Sequence, residues 1–259
     1  MELLNQLERR YAWQSLIVNG HEWRWLDTAA PGAVAVLLPG SVGDAAMFVR
    51  TLGALGERTR LIAVTYPALA SADELADGLA AVCQFLGLPP SVVVGSSFGA
   101  YWAQFFALRH PALVRALVIG NGFVDGSDLA ANPLFKPDWV ESVAPEALHA
   151  QWLERVRAAP PGELQKLQLL MLEKRQSPAN LHARFLGVVR AQACPPLALP
   201  AQAVTVLECD DDPLIPPEVR ARLRGQYPGA RHLRLPSGGH YPHLLAPAAY
   251  EEMLLSTLY

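Results

Sequence analysis

The stretch Val92-Val93-Val94-Gly95-Ser96-Ser97-Phe98-Gly99-Ala100 constrains this chain more than any other. A short β-branched run ends in Gly-x-Ser-x-Gly and passes directly into Ala100 to Ala107, which reads as helix. Strand, turn and helix are the context in which that motif forms a nucleophile elbow. Ser97 then sits at the apex of a sharp turn, strained in its backbone, with its hydroxyl lifted above the sheet. Side chains at positions 95 and 99 would collide as the strand doubles back, so both are glycine. The new helix aims its free N–H groups and positive dipole end at the place where an oxyanion would form. Alone, the motif fits any glycine-rich loop. The apolar flanks on both sides make it an elbow.

Strands and helices alternate around this point. Ser15 to Val18 and Glu22 to Leu26, joined by Asn19-Gly20, form a hairpin. Strands are expected at Ala33 to Leu38, Leu61 to Thr65, Ser91 to Val94, Ala116 to Gly120, Val204 to Leu207 and His232 to Leu235. Helices are expected at Ala45 to Leu55, from Ser71 to about Leu86, at Ala100 to Leu108 and at Pro247 to Leu258. This order argues for an α/β fold: a doubly wound, mostly parallel sheet with the hairpin as an antiparallel edge. Gly78 to Leu108 carries no charged residue, and Pro89-Pro90 and the elbow glycines break it into pieces too short for a membrane span. It reads as the buried centre of the sheet.

Residues 125–199 interrupt the alternation. They hold helical periodicity, at Pro145 to Arg157 and Gly162 to Arg175, but no convincing strand. We expect a helical lid inserted between two core strands, with residues 1–124 and 200–259 forming one core. The net charge of −3 supplies no basic patch, which argues against nucleic acid as a partner. Cys83, Cys194 and Cys209 lack metal-ligand spacing, and the N-terminus lacks an export signal, so a cytoplasmic chain without metal or cofactor is expected.

A serine hydroxyl is a weak nucleophile that needs a base, and the base needs an orienting acid. Both follow strands. After Val204 to Leu207 comes Glu208-Cys209-Asp210-Asp211-Asp212-Pro213, and after His232 to Leu235 comes Pro236-Ser237-Gly238-Gly239-His240-Tyr241-Pro242-His243. His240 is the expected base, with the glycines letting its loop turn back, and His243 is the competitor. Asp212 is the expected acid because Pro213 holds it extended. Asp210, Asp211 and the more distant Asp125 stay open as alternatives. Backbone N–H groups of Ser41, after the first core strand, and Phe98 are the expected oxyanion donors.

These segments resemble the α/β-hydrolase fold over essentially the whole chain. The carriers are Val36-Leu37-Leu38-Pro39-Gly40, the elbow, Asp212-Pro213-Leu214-Ile215-Pro216 and Gly239-His240-Tyr241-Pro242-His243-Leu244. Where many members carry His-Gly this chain has Pro39-Gly40, and Ser96 replaces a frequent histidine. Within the fold the chain most resembles the maspardin branch, through Leu38-Pro39-Gly40-Ser41-Val42-Gly43-Asp44, Val64-Thr65-Tyr66-Pro67, Gly120-Asn121-Gly122-Phe123-Val124-Asp125 and Tyr227-Pro228-Gly229-Ala230-Arg231. Maspardin itself is regarded as an interaction protein whose catalytic-histidine position is altered. His240 fills that position here.

The resemblance implies a serine hydrolase acting on a small acyl substrate (an ester, thioester or lactone) through Ser97, His240 and Asp212. Tyr66, Phe123, Phe135 and Trp139 are expected to line the substrate pocket, with Trp152 beside them. Two other readings stay open: a binding or adaptor protein with a protein partner, and a carbon–carbon bond hydrolase using the same three residues. A homodimer is compatible with either.

Overall fold

The computed structural model describes residues 2–259. Its strands are β1 (Trp13–Val18), β2 (His21–Asp27), β3 (Val34–Leu38), β4 (Arg60–Thr65), β5 (Ser91–Ser96), β6 (Val114–Gly120), β7 (Val204–Cys209) and β8 (Arg231–Leu235). They form one eight-stranded sheet in the order β1-β2-β4-β3-β5-β6-β7-β8. The hairpin β1–β2 and the β2–β4 pair are antiparallel, and every other pair is parallel. Asn19 and Gly20 both take positive φ at the hairpin turn, as a two-residue turn matched to strand twist requires.

The helices are α1 (Glu2–Arg10), α2 (Val49–Leu55), α3 (Ala72–Phe85), α4 (Phe98–Arg109), α5 (Pro137–Ser142), α6 (Pro145–Ala158), α7 (Glu163–Leu170), α8 (Pro178–Val189), α9 (Pro217–Gln226), α10 (Pro242–Leu245) and α11 (Pro247–Leu258). The central strands are covered on both sides, so their residues alternate between two cores. Val36, Leu38, Ile62, Val64 and Val93 pack with α3 and α4 on one side. Ala35, Leu37, Leu61, Ala63, Val92 and Val94 pack with α1, α2 and α11 on the other. That double coverage is why these strands are continuous apolar runs.

Helices α5 to α8 all lie between β6 and β7 in the chain. A π-helical turn, Met171–Arg175, joins α7 to the approach of α8. Among the described residues no helix is long and apolar enough to cross a membrane.

Candidate active site

Ser97 stands between β5 and α4 with φ +53° and ψ −120°. A non-glycine residue held in the left-handed region is strained, and its surroundings must hold it there. Its N–H donates to the Gly120 carbonyl (2.9 Å), and its carbonyl accepts from the Tyr101 N–H (3.0 Å). A Cβ on Gly95 would lie 2.4 Å from the Ala100 Cα, and one on Gly99 2.4 Å from the Leu38 carbonyl oxygen. Gly95 therefore lets strand and helix cross, and Gly99 lets the helix pass the end of β3. Ser97 is partly exposed, whereas Ser96 is buried.

His240 follows Gly238 (φ +146°) and Gly239 (φ +53°), two conformations that a side chain would oppose. Its Nδ1 lies 2.8 Å from Asp212 Oδ2, and both residues are buried. An ionised carboxylate only accepts, so the Nδ1 proton is donated and Nε2 is left free to accept. Asp212 Oδ1 is occupied by the N–H groups of Leu214 (2.8 Å) and Ile215 (3.2 Å), which fixes the carboxylate.

The other acids have different work. Asp211 accepts from the N–H groups of Gly239 (2.8 Å) and Gly238 (3.2 Å), holding the loop that carries His240. Asp210 pairs with Arg234 at the surface. Asp125 caps a short turn and is paired with Arg222, whose hydrogen bond holds its carboxyl down at about 2. His243 is 2% exposed, its ring lies tilted with its centre 4.9 Å from that of Phe48, and neither ring nitrogen has a partner. Burial, with His240 nearby, pushes its pKa down to about 3. It is sealed away from any substrate.

A residue that sequence reasoning did not single out joins the corners. Asn121, buried with φ +45°, follows β6 and donates from Nδ2 to the Gly239 carbonyl (2.8 Å). The end of β6 thus holds Ser97 through Gly120 and the His240 loop through Asn121. The signal was the Gly120-Asn121-Gly122 turn, where asparagine tolerates the left-handed region. A direct Ser97–His240 hydrogen bond is not among the contacts of the described residues.

Gly40 packs on Ser97: a Cβ there would lie 3.1 Å from the Ser97 Cβ. Phe98 is the first residue of α4, so its N–H belongs to the unpaired first turn of that helix.

The aromatic residues fall elsewhere. Tyr66 is fully buried and shares its one hydroxyl proton between the Pro39 and Gly40 carbonyls (2.9 and 3.0 Å). Phe123 stacks on Tyr101, Phe135 stacks on Phe185, and Trp139 packs at the edge of the same core. The cavity that opens on His240, of 360 Å³, is lined instead by Trp152, Val156, Leu164, Leu214 and Tyr241, and none of those four aromatics borders it.

Comparison with known proteins places the fold in a family. The Alpha/beta hydrolase family matches residues 16–253. RutD of Pantoea ananatis (strain LMG 20103), named for carbamate hydrolysis, is 27% identical over 72% of this chain and 70% of its own length. Human maspardin is 25% identical over 82% of this chain and 70% of its own. The two likenesses are of similar strength, so the chain is similar to RutD as well as to maspardin.

Among solved structures, an esterase from Thermogutta terrifontis superposes with a TM-score of 0.75 at 22% identity, covering 95% of this chain and 100% of its own. An enol-lactonase from Burkholderia xenovorans LB400 gives 0.75 at 14%, covering 95% and 99%. These two show the fold. With the family match spanning nearly all of the sheet and the insertion, the chain belongs to the Alpha/beta hydrolase family.

Proposed function

We propose that this protein is a serine hydrolase that cleaves a carboxylic ester, thioester or lactone through an acyl-enzyme on Ser97. The observation that carries the reading is the buried Asp212–His240 pair at 2.8 Å, set at the same sheet edge as a strained serine at a helix N-terminus. His240 Nε2 takes the Ser97 proton as the oxygen attacks the acyl carbon, and Asp212 stabilises the imidazolium that forms. The N–H groups of Phe98 and Ser41 receive the oxyanion. His240 then protonates the leaving group, and a water activated by the same nitrogen releases the acid. Every proton in the cycle passes through one ring nitrogen.

The cavity beside His240 is bordered by the base and not by Ser97. Its mainly apolar wall, with Trp152 on α6, fits an apolar part of the substrate, and Arg155, Gln168 and Asp211 add polar groups at it. The RutD likeness adds carbamates to the classes worth assaying. The maspardin likeness supports a second reading, a binding protein without turnover. One experiment separates them. The protein is treated with a fluorophosphonate and assayed on p-nitrophenyl esters, acyl thioesters, lactones and carbamates. We expect labelling of Ser97 and turnover of at least one class. Ser97→Ala should lose labelling and about 10⁶-fold in turnover, and Ser96→Ala should keep both. An unlabelled, inactive wild-type protein would favour the binding reading.

A further inference from the structure

The loop after β3, from Pro39 to Asp44, is held largely by side chains of the inserted segment. Arg184 on α8 is fully buried, and its Nη1 donates to the carbonyls of Gly40 (2.9 Å) and Gly43 (2.6 Å). Its Nη2 reaches the Tyr66 carbonyl (3.3 Å), and its guanidinium carbon lies 3.8 Å from the centre of the Tyr66 ring. Gln176 accepts from the Gly43 N–H (2.9 Å) and donates to the Ser41 carbonyl (2.8 Å). Asn180 receives a second Gln176 bond (3.0 Å) and donates to the Tyr66 carbonyl (3.1 Å). Arg175 pairs with Asp44 at 3.0 Å.

Asn180 and Arg184 lie one turn apart on α8, and Gln176 stands in extended backbone just ahead of the Ser177 cap of that helix, so the start of α8 and its approach face this loop together. The carbonyls of Pro39, Gly40, Ser41 and Gly43 all accept from this cluster of side chains.

The peptide plane gives this arrangement a consequence. In a trans peptide the carbonyl of one residue and the N–H of the next point in opposite directions. Arg184 and Tyr66 both grip the Gly40 carbonyl. They therefore fix the Ser41 N–H to point away from themselves, while Gly40 itself rests on Ser97. Holding the insertion down does not require this. A buried guanidinium whose Nε finds no partner is a poor way to glue a helix, and an apolar side chain of that volume would do so at lower cost.

We infer that Arg184, supported by Tyr66 and Gln176, is a positioning residue that sets the Gly40–Ser41 peptide plane, so that the inserted helix α8 builds the oxyanion hole as well as covering it. This rests on the serine-hydrolase reading above. It gives Tyr66 a role through the backbone in place of a contact with substrate.

The test compares the wild-type protein with Arg184→Lys, which keeps the charge and loses the fork, and with Tyr66→Phe, which removes one hydroxyl. Three quantities are read on each: hydrogen exchange of the 40–44 amides, steady-state kinetics on p-nitrophenyl acetate, and affinity for phenylboronic acid, whose serine adduct is tetrahedral. Arg184→Lys should speed exchange in the loop by about tenfold while the α4 amides keep their protection. It should lower kcat by about a hundredfold, leave KM within about twofold, and weaken the boronate in proportion to kcat/KM. Tyr66→Phe should change all three in the same direction by less.

Exchange that is unchanged in the loop, or that rises equally in α4, would overturn the inference. So would a loop that loosens while kcat stays intact, or a loss confined to KM. If Arg184→Lys does not fold, Tyr66→Phe decides by the same criteria. A wild-type protein inactive on the ester and unlabelled by fluorophosphonate would refute the serine-hydrolase reading, and exchange alone would then decide whether the clasp exists.

Discussion

Three adjacent aspartates, identical in chemistry, are separated by what their neighbours leave available. Asp210 meets Arg234 at the surface, Asp211 meets the amides of the glycine loop, and Asp212 is spent on His240 and the Leu214 and Ile215 amides. Asp212→Asn replaces an acceptor with a group that can donate, which favours the wrong tautomer of His240, so turnover should fall by about 10⁴. Asp211→Asn keeps one carbonyl oxygen for the Gly239 amide and should cost far less. Asp210→Asn and Asp125→Asn should leave kcat essentially intact, because their partners are Arg234 and Arg222. Steady-state kinetics of the four variants on one p-nitrophenyl ester check the order. A severe Asp125→Asn with a mild Asp212→Asn would move the acid to the β6 side of the sheet.

At the scale of elements, legibility followed how local the cause was. The strands of the sheet and the hairpin turn were readable because double coverage makes apolar runs and the Asn19-Gly20 turn demands positive φ. The elbow was readable because each glycine is forced by a backbone atom nearby in the fold. Helix α1 was missed: only Leu4 and Leu7 are buried in a polar segment, and their partners lie far along the chain. Helix α8 was missed for a related reason. Its Asn180 and Arg184 break the apolar pattern, and they make sense only against the carbonyls of Tyr66 and Gly40, 114 and 144 residues away in the chain.

The same contacts decide what removing the insertion should do. Deleting residues 125–199 withdraws Arg184 and Gln176 from the loop after β3, so, if that loop supplies the proposed oxyanion donor, fluorophosphonate labelling should be lost along with substrate turnover. Trp152→Ala removes a wall of the cavity without touching the clasp. It should alter acyl-chain preference across a p-nitrophenyl ester series and leave the rate of labelling within about twofold, since that probe needs only the reacting centre. A Trp152→Ala protein with an unchanged ester profile would place the acyl group elsewhere.

For the whole molecule, His243 is one buried group that makes folding depend on pH. It stands on α10, enclosed by the rings of Phe48, Tyr241 and Tyr250, with His240 nearby. Its imidazole has no acceptor to hold a proton, so the folded protein keeps it neutral down to about 3. In the unfolded chain the same group gains a proton near the ordinary histidine value of about 6.5. Between those two values the unfolded state binds one more proton than the folded state, so folding stability must rise with pH across that window. This contribution is therefore fully present above about 6.5 and is lost as pH falls, at about 1.4 kcal/mol per pH unit, until the folded imidazole itself ionises. His243→Phe keeps a ring of similar shape in the aromatic enclosure and has nothing to titrate. Urea unfolding of both proteins at intervals from pH 7.5 to pH 4 isolates the contribution, since carboxylates common to both cancel in the difference. The variant should lose less stability than wild type below pH 6.5, and the gap should widen steadily with acidity. Parallel curves would mean that His243 reaches water or a proton acceptor in the folded protein, and the sealed enclosure would have to be abandoned.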